Sequence, residues 1–285
     1  MAQRASKYCL WYVIITVLTS VSLAIVTTIF PYRNLNHYQL LLPIATNVVY
    51  CILLAQDMKK QGRTDVVALF ITLLLGIWVP LIYLFRSEGY MKYIATIFVF
   101  QLLLFVNQFA NVLSVPLQQV TIFLGGVAVA LIMLADAQKN NLKMDGDLIM
   151  ICLMALLSYS HLFIVMFFFA MLKHKEEGIG DGCRIMRPYL ILMMVVTVEN
   201  FAGRMVSVFH PAPWDTTLMA LVSIGTYVLF SIVALVMLLT DSHYRQLPKR
   251  GWLFAAAFLT QGAMSAAIHR CYLEQQSDKA SLQER

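Results

Sequence analysis

The chain has 285 residues, 60% of them apolar and 13% charged, with a mean hydropathy of +0.74. A soluble domain carries about 25% charged residues, and so little charge cannot coat a globule of this length, so composition excludes a soluble or disordered chain and names a bilayer as the solvent. The net charge of +6 does not point to nucleic acid, because the basic residues stand in short clusters between apolar runs, where they orient membrane helices.

In chain order, nine apolar windows alternate with polar breaks: 9–30, 39–56, 66–85, 93–115, 120–137, 148–172, 189–209, 216–239 and 252–269. The first follows Arg4 and Lys7 and is too long for a signal-peptide core, so it reads as a retained membrane helix. Proline in the connections at 114–119 and 210–215 suits helix ends. The expected fold is an all-α, polytopic membrane bundle of about nine transmembrane helices. It falls to seven or eight if the weakest windows, 39–56, 120–137 and 252–269, do not all cross. Residues 1–269 form a single transmembrane domain on this reading, and 270–285 a short polar C-terminal tail. No internal repeat is evident, and 13 glycines and 8 prolines leave little material for broken helices.

With nine crossings, 12 Lys and Arg fall on the N-terminal side and 8 on the other, Arg86, Lys92, Lys139 and Lys143 among the latter. That excess places the N-terminus in the cytoplasm, with the 173–188 connection on the same side. The sequence does not indicate which membrane. The five cysteines show no zinc spacing and no CxxC pair, and no motif for a metal, nucleotide or haem occurs, so no cofactor is expected.

Polar residues inside the windows carry the functional expectations, because they are expensive in hydrocarbon. Glu199 falls at the centre of 189–209, and Thr197, Glu199, Asn200, Gly203, Arg204 and Ser207 share one arc of that helix. His161 falls centrally in 148–172, at a depth matching Glu199 if these two windows pair as a hairpin. Glu199 and His161 are therefore the candidate acid–base couple or proton relay. Gln101, Asn107, Gln108 and Asn111 share a stripe on 93–115; with Asn200, Arg204, Tyr227 and Asn47 they form either a substrate path or interhelical glue. Asp136 stands near a helix end, as an interfacial residue would.

Three functions are open at this point. The first is movement of a small solute or proton through a polar bundle interior. The second is an intramembrane enzyme acting on a lipid or isoprenoid-like apolar substrate, and the third a sensor or scaffold. The expected partners are the lipid bilayer and a small apolar or protonatable ligand.

Overall fold

The structure, a computed structural model, describes residues 2–29, 36–110, 113–176, 182–209, 216–245 and 250–283. It is helical, with no strand among the described residues. Among the described residues, four stretches are long and apolar enough to cross a membrane: Gln3–Ile29, Val115–Lys139, Met186–Val206 and Leu221–His243.

The chain is built as three similar units. The first holds α1 (Ala2–Ile29), α2 (Asn36–Lys60), α3 (Val66–Leu75) and α4 (Trp78–Phe85). The second holds α5 (Met91–Ala110), α6 (Val115–Lys139), α7 (Gly146–Leu157) and α8 (Leu162–Glu176). The third holds α9 (Gly182–Phe209), α10 (Thr216–Arg245), α11 (Gly251–Leu259) and α12 (Ser265–Gln283). Each unit is thus two long helices followed by a pair of shorter ones. Its second long helix packs on the first of the pair: α2 on α3, α6 on α7, α10 on α11. The units join in a closed ring, because α3 packs on α5, α7 on α9, and α11 back on α1.

This corrects two expectations. Windows 66–85, 148–172 and 252–269 are not single helices, and the chain does repeat. Each of the three windows breaks in its middle; α3 packs on α4 and α7 on α8, while α12 turns away from α11 to pack on α1. Arg63, before α3, pairs with Glu88 after α4 at 2.7 Å, and Tyr83 of α4 donates to Gln61. Lys175 at the end of α8 donates to the carbonyl of Asn140, ahead of α7. Arg250, ahead of α11, donates to the Ser6 hydroxyl of α1, and α12 packs on α1 as well. Start and end of every pair therefore lie at one end of the bundle.

That end also carries the repeated interaction. A tyrosine on the first long helix of each unit donates to an aspartate near the end of the second. Tyr8 reaches Asp57 at 2.5 Å, Tyr93 reaches Asp136 at 2.8 Å, and Tyr189 reaches Asp241 at 2.8 Å. A basic side chain stands beside each carboxylate: Arg4 at 3.4 Å, Lys92 in direct contact, and His269 at 3.9 Å. Asp136, near the end of α6, is buried there by these partners. Hydrogen bonds to a buried carboxylate contribute about 1.5–3 kcal/mol each, which pins the two long helices of a unit to one another. The exposed Arg63–Glu88 pair at the same end works differently: its hydrogen bond holds the Glu88 carboxyl below its ordinary pKa, but water screens it.

The second halves, α4, α8 and the first part of α12, form the core. Val79–Phe85 are buried throughout, as are Phe167, Phe168 and Phe169 of α8 and Ala266–Cys271 of α12. A short helix that is apolar on all sides is stable only when surrounded by others. Here α4 packs on α8 and α8 on α12. Tyr93 meets Phe169 edge-on at 5.0 Å, a geometry that adds about 1 kcal/mol beyond burial.

Candidate functional site

A helix broken at membrane depth leaves carbonyl groups without intrahelical partners, and these must be bonded from elsewhere or line a cavity. The three breaks meet that demand with the polar residues that stand out in the sequence. α3 ends at Gly76, whose φ of 70° is costly for other residues, and the Asn47 side-chain amide donates to the Leu73 carbonyl at 2.9 Å. α11 ends before Gln261 and Gly262, both with positive φ, and the Tyr227 hydroxyl donates to the Leu259 carbonyl at 2.7 Å.

The middle break is more elaborate. Ser158 leaves the helix with ψ 146°, and its hydroxyl bonds both the carbonyl and the N–H of Ser160. Gln101 donates to the Tyr159 carbonyl at 3.3 Å. The His161 ring is buried, and its Nε2 has no partner among the described residues. The Arg204 guanidinium, from the neighbouring unit, bonds the Leu157 carbonyl and reaches Gln119 at 3.1 Å. A cation at the last carbonyl of α7 meets the negative end of that helix dipole. Gly126 lets α6 and α7 approach closely: a Cβ there would come within 2.2 Å of the Ala155 carbonyl oxygen.

Asn47, Gln101, Arg204 and Tyr227 are thus brought to the breaks, where each bonds backbone, and His161 stands at the middle break beside them. Asn107 instead bonds the backbone of Leu113, in the link from α5 to α6. Asn200 donates to the Val196 carbonyl of its own helix. Glu199 is half-buried on the flank of α9 and bonds nothing among the described residues. Neither it nor His161 lines the cavity described next. The expected pairing of their two helices does not occur as drawn, because the chain breaks ahead of His161 and turns back as α8. Asn111 and the side chain of Gln108 lie outside the described residues.

On these breaks sits a cavity of about 430 Å³. Its wall on α9 is a helical stripe of Met193, Val196, Thr197, Asn200 and Arg204. Its floor is the breaks themselves: Trp78 opens α4, Ser158, Tyr159, Ser160 and Phe163 lead into α8, and Thr260, Gln261 and Ala263 precede α12. The N-termini of all three core half-helices therefore face one space. The first N–H groups of a helix lack intrahelical acceptors and carry the positive end of its dipole. Arg204 adds a full charge. No acidic side chain pairs with it among the described residues; its Nε is buried without a partner, and its guanidinium lies 5.6 Å from the Phe201 ring. Arg204 is the charged side chain among the described residues that line the cavity, and the ends of α7 and α11, at Ser158 and Thr260, line it as well. No group of His, Cys, Asp and Glu is placed to hold a metal among the described residues.

The breaks were the feature sequence reasoning missed. Gly76 and the Gln261–Gly262 pair were available as signals, but the run from Ser158 to His161 holds neither glycine nor proline. Comparison with known protein families, curated proteins and solved structures finds no match.

Proposed function

We propose that this protein is a membrane carrier for a small anionic solute, bound at mid-depth by Arg204 and the N-termini of α4, α8 and α12. The observation that carries the reading is that residues at three half-helix N-termini line one cavity with an arginine that has no acidic partner among the described residues. Discontinuous helices meeting near the bilayer midplane are a recurrent way to bind a charged substrate in secondary transporters. A volume of about 430 Å³ lies toward the lower end for ligand pockets, which suits a small solute. Trp78 and Tyr12 also line a second cavity of about 380 Å³ between α1 and α2, so these two aromatics stand between neighbouring spaces.

In this reading α1, α2, α5, α6, α9 and α10 cross the membrane, and the three half-helix pairs enter and leave from one side. The basic residues support that arrangement. Arg86 pairs with Glu176, Lys92 with Asp136, and Lys175 bonds the Asn140 carbonyl. Charges that a nine-crossing map divides between two sides thereby collect at one end. That concentration supports placing this end, with the N-terminus, in the cytoplasm.

The test is a thermal-shift panel in lipid nanodiscs, comparing small carboxylates and phosphates with their uncharged amide and alcohol analogues. Anions should raise the unfolding temperature of the wild type, and Arg204→Gln should abolish the response. A radiolabelled anion that passes this screen should then exchange across proteoliposomes. Equal stabilisation by the neutral analogues, or an unchanged response in Arg204→Gln, overturns the reading.

A further inference from the structure

The three seams between units offer an internal comparison. At the first, Asp65 caps α3 by accepting from the Ala68 N–H, and Arg63 is matched by Glu88. At the second, Asp145 caps α7 through the Leu148 N–H, and Arg187 is matched by Asp147 at 2.9 Å. At the third, where the ring closes, the capping position holds Arg250, which makes no side-chain cap. An aspartate in two units is thus an arginine in the third.

Beside it lies a cavity of about 560 Å³ between α1, α2 and α11. Among the described residues, Arg4, Lys7, Lys60 and Arg250 line it against a single acid, Asp57. That acid is already engaged by Tyr8 and Arg4. The excess positive charge is therefore unmatched here and matched at the other two seams. The cavity is also graded. Leu10 and Leu53 line its apolar part, and the Trp252 indole N–H bonds Ser6 at 3.0 Å. A tryptophan so placed is typical of the membrane–water interface.

We infer that this cavity binds a phosphate group presented at headgroup depth, with Arg250, Lys7 and Lys60 as its ligands and an anionic phospholipid as its carrier. Basic pockets between helices at the cytoplasmic surface suit anionic headgroups, because the cations neutralise the phosphate while the apolar part accommodates the chains. The inference is independent of the carrier reading, since it uses a different cavity and none of the same residues.

The experiment is native mass spectrometry of the full chain from nanodiscs of phosphatidylcholine alone, with added phosphatidic acid, or with inorganic phosphate in the buffer. The wild type should retain phosphatidic acid over phosphatidylcholine. Arg250→Asp should lower that retention at least tenfold while folding normally, because it restores the cap used in the other two units. Lys60→Gln should lower it less, and Arg63→Gln at the first seam not at all. Binding of inorganic phosphate that competes with the lipid shows the same site taking the soluble form of the same group. No retention of either ligand overturns the inference, as does retention in Arg250→Asp and Lys60→Gln equal to the wild type.

Discussion

Set beside one another, the first and second breaks solve the same problem with different chemistry. In the first unit a neutral amide, Asn47 on α2, bonds the carbonyl left free by the end of α3. In the second, the position on α6 that stands as far before Asp136 as Asn47 stands before Asp57 is Gly126, which has no side chain. The free carbonyl is bonded instead by Arg204, a cation brought in from the next unit. The third break returns to a neutral donor, Tyr227. A charge in hydrocarbon is far more expensive than an amide or a phenol. Holding one carbonyl does not require it, as two breaks demonstrate, and a charge at the second break is what the proposed anion carrier would use.

The largest expected effect tests how the second break dispenses with a side chain. Gly126→Ala drives a methyl into the Ala155 carbonyl oxygen, which is backbone and has little room to yield. We expect a loss of about 3 kcal/mol, seen as a lower unfolding midpoint in detergent. Gly76→Ala, strained by its positive φ and by the nearby Asn47 side chain, should lose about 2 kcal/mol.

The repeated end should behave alike in all units. Tyr8→Phe and Tyr93→Phe each leave a buried carboxylate short of one donor, and each should lower stability by about 2 kcal/mol. Tyr189→Phe should lose less, because the Asp241 side chain is 24% exposed and water can replace the phenol.

Smaller effects sharpen the comparison between breaks. Asn47→Ala and Tyr227→Phe each remove a neutral carbonyl clamp and should lower stability by about 1 kcal/mol without changing the response to anions. Arg204→Gln should do the reverse, keeping most of the stability and losing the anion response. If Asn47→Ala abolishes that response as well, the distinction between the breaks fails. Smallest of all, Arg63→Gln should leave the unfolding midpoint unchanged, since that pair is exposed.

The membrane class, the apolar windows and most of the polar mid-depth residues were legible in the sequence, because hydropathy and charge report directly on solvent. What those residues do was not. Gln101 reads as interhelical glue ahead of a substrate path, and Asn47 and Tyr227 as candidate neighbours of it, but only the breaks reveal that they bond carbonyls. The breaks themselves were hidden, because an apolar run of ordinary spanning length reads the same whether the chain crosses or turns back. The Ser158–His161 turn carries no glycine or proline to betray it. The repeat was hidden for a related reason. Its shared residues are few, a tyrosine and an aspartate per unit at separations of 49, 43 and 52, and the apolar sequence between them varies freely.

The folding back of the half-helix pairs is tested most directly by labelling single cysteines with a membrane-impermeant maleimide. In intact cells expressing a chain with its five native cysteines replaced, Ser87→Cys between α4 and α5 and Asn141→Cys between α6 and α7 are the informative sites. If α3 and α4 enter and leave on the N-terminal side, both positions stay unlabelled from outside and react once the cells are opened, as a cysteine at position 3 does. Labelling of either from outside would mean that 66–85 crosses the membrane as a single span, and would contradict the three-unit arrangement.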